Sequence, residues 1–377
     1  SLGTVSGNSY VGGLVGFNSA FNGSITAEIT NSYSESPVKG IGDDPSSLGG
    51  LVGENFNADI LDSYAAGSVS VSKSISGSDD IGGLVGFNIG GSVTGSYSTE
   101  PVTAGPGAED IGGLVGENLA GTIEQSNASG SVTGGVSDVG GLVGLNDNNS
   151  TIENSYATGA VTAQLGTAIG TESVGVGGLV GENESNGEGA LIVASYASGA
   201  VKGNDEVGGL VGVNDSGAQI ETSEASGKVT ATADPAVAGD GTDAGGLVGL
   251  ASGTISDVYA TGSVSGYNNV GGLIGLADSD LTVNRAYSIG VASATDPSPS
   301  LGASVGLSAG ATLTDVYWDS TTDSTLNGIG SVAGADTTMS LTTKQLRSGL
   351  PAGFSASVWG SNKSFDGGLP YLLALQE

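Results

Sequence analysis

Apolar residues recur along this chain in two short blocks whose internal spacing is fixed, while the polar stretches between them vary in length. The first block is a glycine pair, Leu-Val, a third glycine and, two residues later, an asparagine. Gly-Gly-Leu-Val-Gly occurs eight times and Gly-Gly-Leu-Ile-Gly once. Its leucines are Leu14, Leu51, Leu84, Leu114, Leu142, Leu179, Leu210, Leu247 and Leu273, with steps of 37, 33, 30, 28, 37, 31, 37 and 26 residues. The asparagines are Asn18, Asn55, Asn88, Asn118, Asn146, Asn183 and Asn214, replaced by Ala251 and Ala277 in the later copies. The second block is an aliphatic residue, a tyrosine four residues on and an aliphatic residue five further, as in Ile60/Tyr64/Val69 and Ile152/Tyr156/Val161. Asn127 and Glu224 take the tyrosine position in two copies, and Leu313 with Tyr317 closes the series.

A period of about 32 residues is that of a solenoid. The blocks are too short and too β-branched for paired helices, in which each glycine would cost about 1 kcal/mol. They read as strands bounded by turn residues. Fixed strands with elastic corners are what a coiled path produces, because strands must stay in register with the coil below while corners face water. The expected fold is therefore all-β: a right-handed parallel β-helix, or β-solenoid, of about ten coils with three faces. The handedness follows the general rule for parallel crossovers. Ten coils about 4.8 Å apart would give a rod roughly 45 to 50 Å long.

The glycines are expected at corners where an identical corner lies against them and where positive φ is useful. The asparagines are expected to hydrogen-bond up the stack as a ladder. The tyrosines, evenly spaced from the aliphatic residue, are expected to share its face and to belong to the core, the alternative being an outward aromatic stripe suited to sugars.

After Tyr317 the pattern stops, giving two expected units: a solenoid over residues 1–319 and a cap with a short helix over 320–377. Both tryptophans, Trp318 and Trp359, lie near or within the second unit. "SLTTKQLRSG" reads as a helix with Thr342 or Thr343 as N-cap and Gly349 as its stop. Such a tail would cover the open end of the solenoid. Ser1 enters midway through a coil, which leads us to expect more protein upstream or a partner at that end.

Composition narrows the chemistry. The 377 residues include 70 glycines, 39 acids against 8 bases, and neither cysteine nor histidine, for a formal charge of −31. Thiolate chemistry, zinc-thiolate sites and the usual neutral-pH general base are absent. The charge disfavours nucleic acid and anionic membrane and favours cation binding. No stretch is long and apolar enough to span a bilayer as a helix. A phosphate-loop reading of the glycine block fails because no Lys-Ser or Lys-Thr follows it.

"VGGLVGEN" followed by "IENSYATGAV" resembles the GLUG-type repeat of bacterial surface proteins. The ending "VYWDSTT…LTTKQL…VWG…LPYL" is similar to the segment after such repeats in filamentous-haemagglutinin-like adhesins. The resemblance implies secretion or a cell-surface location, an elongated β-solenoid stalk and a role in attachment, and it supplies no catalytic residues. The expected partners are cell-surface glycans or proteins, or another copy end to end, without nucleic acid or membrane insertion. Binding would fall to domains outside the chain or to the long corners Ser70–Asp80, Thr162–Val176 and Thr230–Ala244. The alternatives are a polysaccharide-processing β-helix enzyme, or a filament subunit.

One column of acids stands out. Two residues before the glycine pair lie Asp80, Asp110, Asp138, Gly175, Glu206, Asp243 and Asn269. Stacked at about 4.8 Å, adjacent carboxylates would repel by roughly 1 kcal/mol in water and more where solvent is excluded. Either long corners splay them into solvent or calcium bridges them, with Asp79, Glu109 and Asp205 adding oxygens. Asp80, Asp110, Asp138, Glu206 and Asp243 are thus the candidate calcium ligands.

Overall fold

A computed structural model describes residues 3–20, 27–42, 45–72, 79–105, 107–163, 174–187, 189–232, 243–364 and 366–376. The chain winds into a parallel β-solenoid in which the strands of each coil pair with their counterparts one coil away. Each coil has four faces, one more than the sequence pattern suggests. In one coil they are Ser46–Gly49, then Val52–Phe56, then the paired pieces Asp59–Leu61 and Tyr64–Ala65, then Val69–Val71. Stacking yields sheets of 10, 11, 18 and 10 strands among the described residues. The third sheet is the largest because each early coil contributes two pieces, which fuse later into single strands such as Thr254–Ala260.

The glycine block is a corner between the first two faces rather than a strand. The first face ends at Gly49 and the second begins at Val52. At the turn, Leu51 N and Val52 N both donate to Leu84 O of the next coil, at 2.9 and 3.0 Å. Because the chain bends between them, leucine and valine both point inward and both are fully buried.

Space alone dictates the glycines. A Cβ on Gly82 would lie 1.8 Å from Val85 O, one on Gly83 2.0 Å from Gly113 O, and one on Gly86 2.5 Å from Leu48 N. None of these three takes positive φ. The second glycine of the pair also faces the small residue after the tyrosine: a Cβ on Gly113 would sit 3.0 Å from Ala128 Cβ. This waist divides the interior into two apolar columns. Leu51, Val52 and Ile60 belong to one, and Leu48, Val69 and Ile81 to the other.

Two polar ladders run through the solenoid. From Asn18 to Asn214 each asparagine Nδ2 donates to the next Oδ1 at 2.7–2.9 Å, as expected. The backbone at these asparagines is not left-handed, so the ladder and not the turn is their role. The second ladder uses the serine before each tyrosine. Ser63 N donates to Ser96 Oγ at 3.1 Å, and the pattern continues through Ser126, Ser155, Ser195 and Ser223.

Beyond Tyr317 the coiling continues briefly. Ile329–Val332 pairs with Val305–Ser308, and Met339–Leu341 pairs with Tyr317–Asp319. A short helix, α1 (Thr343–Leu346), follows with Thr342 as N-cap in a capping box with Gln345. Trp359–Ser361 and Pro370–Leu372 then form an antiparallel pair. Part of this tail lies along the side of the last coils. Trp359 packs against Tyr259 and Tyr287 with ring centroids 5.9 Å away, and its Nε1 donates to Asp257 Oδ1 at 2.7 Å. Asp257 also receives a two-pronged ion pair from Arg285 at 2.8 and 2.7 Å.

Candidate functional site

The tyrosines face outward, contrary to the expectation that they fill the core. Two residues before each tyrosine the chain takes a left-handed step, at Asn31, Asp62, Gly95, Asn154 and Ala194 among others. That step resets the strand alternation, so the tyrosine turns out and the small residue after it turns in. Tyr33 is 55% exposed and Tyr97 37%. Tyr33, Tyr64 and Tyr97 stack almost parallel with centroids 5.1 and 5.0 Å apart, and Tyr156 stacks on Tyr196 at 4.8 Å. Only under the tail do tyrosines become buried: Tyr287 is 1% exposed and its hydroxyl donates to Pro370 O at 2.6 Å.

Where the uncovered ladder meets the tail, a cleft of about 850 Å³ opens. Its floor is Tyr156 and Tyr196, its flanks carry Gln125, Asn154 and Glu224, and its far wall is the tail near Leu375. Glu224 stands at the tyrosine register position, between Tyr196 and Tyr259. It is the sole carboxylate among the described lining residues. Glycoside hydrolysis ordinarily needs two.

The acidic column is in register as the spacing implies. Ile81 pairs with Ile111 and Ile111 with Val139, which aligns Asp80, Asp110 and Asp138. All three take left-handed φ, of 39°, 52° and 51°; Asp80 and Asp110 are buried and Asp138 is half-buried. They do not splay into solvent because the backbone of one coil's first face lies against the third glycine of the next. A Cβ on Gly116 would sit 2.5 Å from the Asp80 carbonyl carbon.

Asp80 and Asp110 come together with Glu117, one carboxylate oxygen from each lying within 4.8 Å of the others. Asp80 is hydrogen-bonded to Glu117, and Asp138 likewise to Glu182, with Asp138 also accepting from Ser137 Oγ at 2.8 Å. Gly175 interrupts the column after Asp138, since Val139 pairs with Val176. Glu206 and Asp243 lie beyond the gap and form a different arrangement. The backbone N of each donates to Asp205 Oδ1 at 3.1 Å, and Asp243 Oδ1 accepts from Asn269 Nδ2 at 2.7 Å.

Glu117 and Glu182 were not singled out by the column, yet the sequence carries their signal. The position before the ladder asparagine reads Glu54, Phe87, Glu117, Leu145, Glu182 and Val213 in register. A carboxylate at every second coil of an otherwise apolar row is an anomaly that pattern counting can find.

Burial raises the proton affinity of the whole cluster, because the charged form loses hydration. It lifts Glu117 to about 9, with Asp80 and Asp110 adding repulsion. Asp110 and Asp138 are pushed well above the usual carboxylate range, burial again first and neighbouring acids second. Burial, reinforced by Asp205, raises Asp243 to about 7, against the hydrogen bond from Asn269.

The family model described as the GLUG motif matches residues 7–36, 44–70, 107–133, 135–162, 203–230 and 240–265. Six of the coils thus match the GLUG motif. Each match falls on strands of the solenoid, and all six contain a whole glycine corner, so the motif is here the repeating unit of a four-faced coil. A curated relative, Halomucin of Haloquadratum walsbyi (strain DSM 16790 / HBSQ001), is 36% identical over 149 residues. The similar stretch covers 37% of this chain and spans 2% of Halomucin. No solved structure matches the chain significantly.

The three long corners all join the fourth face to the first, as their flanking strands show. Residues 73–78, 164–173 and 233–242, which make up most of them, lie outside the described residues. No helix among the described residues is long and apolar enough to cross a membrane.

Proposed function

We propose that this GLUG solenoid is an extracellular structural element that attaches to glycans through its outward tyrosine ladder. The observation that carries the reading is the cleft over Tyr156 and Tyr196, where two parallel rings lie next to Gln125, Asn154 and Glu224. Flat aromatic faces accept the apolar faces of sugar rings, and amide and carboxylate groups beside them take up hydroxyl hydrogen bonds. The GLUG repeats, the stacked-coil architecture and a net charge of −31 support a soluble scaffold outside the cell. A lone lining carboxylate favours holding a glycan over cutting it.

Screening the purified chain against a glycan array, with Tyr156→Ala/Tyr196→Ala alongside, tests this. Binding by the wild type and at least a tenfold loss in the double variant is expected. Equal binding by both, or none by the wild type, would overturn it. Because both rings face outward, the variant should retain the wild-type circular dichroism spectrum and melt.

A further inference from the structure

We infer that Asp80, Asp110 and Glu117 form a binding site for a hard divalent cation, with calcium the best fit. Three carboxylates from two coils converge there, each offering an oxygen within 4.8 Å of the other two. Oxygens at such separations can share one ion, and calcium accepts six to eight oxygen ligands in loose geometry. Water and backbone carbonyls would complete the shell.

A second observation, independent of the clustering, points to a ligand. Asp80 is only 6% exposed: its Oδ2 accepts from Ser47 Oγ at 3.2 Å, its Oδ1 is buried with no backbone, hydroxyl or amide donor, and its carboxyl meets that of Glu117 at hydrogen-bonding range. A buried carboxylate oxygen is ordinarily satisfied by a donor, and two buried carboxyls in contact need either a shared proton or a cation between them. The charges around it have one sign. Those that act on Asp110 are Asp80, Glu109, Glu182 and Asp79, with no base among them. The local fold also fixes the geometry. Left-handed φ at Asp80 and Asp110 aims both side chains to one side of the corner, and parallel pairing of residues 81 and 111 sets their separation.

The site is narrower than the full acidic column. Gly175 breaks the row, and beyond it the Asp243 carboxylate is taken up by Asn269 Nδ2.

The probe is calcium chloride itself, added to chelator-treated protein at pH 7.5 with sodium chloride of equal ionic strength as reference. Calorimetric titration and thermal melts would be run on the wild type, Glu117→Gln, and Glu100→Gln as an exposed control. The expected result is saturable calcium binding and a melt raised beyond the sodium reference in the wild type and Glu100→Gln. Glu117→Gln should weaken binding at least tenfold while keeping the wild-type circular dichroism spectrum. Equal shifts with calcium and sodium would show a cluster that merely shares protons, and undiminished binding by Glu117→Gln would place the ion elsewhere. Either result overturns the assignment. Neither bears on the tyrosine cleft, which contains none of these residues.

Discussion

Replacing Asn118 by alanine would remove one rung from the middle of the asparagine ladder. Asn118 is fully buried, accepts from Asn88 Nδ2 at 2.7 Å, and donates to Asn146 Oδ1 at 2.9 Å and Gly121 O at 3.2 Å. Asn88 Nδ2 keeps a second acceptor in Gly91 O, whereas Asn146 Oδ1 and Gly121 O each lose a donor. Gly121 O still accepts from Thr151 N at 2.9 Å, so one stranded acceptor, at about 1–3 kcal/mol, and two lost bonds with otherwise satisfied partners, at about 1 kcal/mol each, give a destabilisation of roughly 3–5 kcal/mol. Alanine itself fits the coil, because Ala251 and Ala277 occupy the same register, where Asn214 Nδ2 next to Ala251 donates to Ser252 O at 2.8 Å. The cost therefore resides in the partners. Asn18→Ala is the comparison: it also strands one acceptor, Asn55 Oδ1, but breaks a single ladder bond at the first rung, and the expected loss is about 1–2 kcal/mol. Solenoids unfold in segments, so hydrogen exchange resolved by peptide is the better assay, with urea melts in support. Protection should fall around residues 88–146 in Asn118→Ala. If the two variants cost the same within 1 kcal/mol, the ladder does not stabilise as argued.

Trp359→Ala should release the tail from the last coils at a cost of about 3–5 kcal/mol. Limited proteolysis would then cleave within residues 342–376 first, and Trp359→Phe, which keeps a ring but loses the bond to Asp257, should fall between. Asp243, raised to about 7 by burial and Asp205, makes stability depend on pH. The folded carboxyl holds a proton that the unfolded one releases near 3.8, so its contribution is full below that value and is lost as pH rises through 7, by at most ~4 kcal/mol. Melts of Asp243→Asn across pH 4–8 should lack that part of the slope. Gly83→Ala, whose Cβ would lie 2.0 Å from Gly113 O, should prevent the corner from stacking and shift the melt more than any surface substitution.

Much of this fold was legible in the sequence because the coil must satisfy the same constraint nine times. A glycine corner with no room for Cβ, an asparagine that needs its own kind above and below, and fixed strand lengths all repeat visibly. The number of faces was less legible. The glycine block looks like a strand by composition, yet it spans a bend, and one-dimensional spacing does not report bends. The tyrosine orientation misled for a related reason. Four residues separate Ile60 from Tyr64, an even count that puts both on one face only if the strand is unbroken. The left-handed step at Asp62 breaks it. Asparagine, aspartate and glycine at that position in most coils were the available hint. The acidic column was legible by alignment, but its partner Glu117 lies across the corner, where sequence distance carries no information about proximity.

An outward, ligand-holding tyrosine ladder should show itself in the chemical reactivity of its rings. Tyrosine nitration followed by peptide mass spectrometry, with and without a glycan identified on the array, tests it most directly. Without ligand, Tyr33 and Tyr97 should react fastest and Tyr287 should be protected by the tail. With ligand, Tyr156 and Tyr196 should become protected while Tyr33 remains reactive. Slow, uniform nitration of Tyr33, Tyr97 and Tyr287 in the folded protein would place the ladder inside, and glycan binding that leaves Tyr156 and Tyr196 as reactive as before would contradict the cleft.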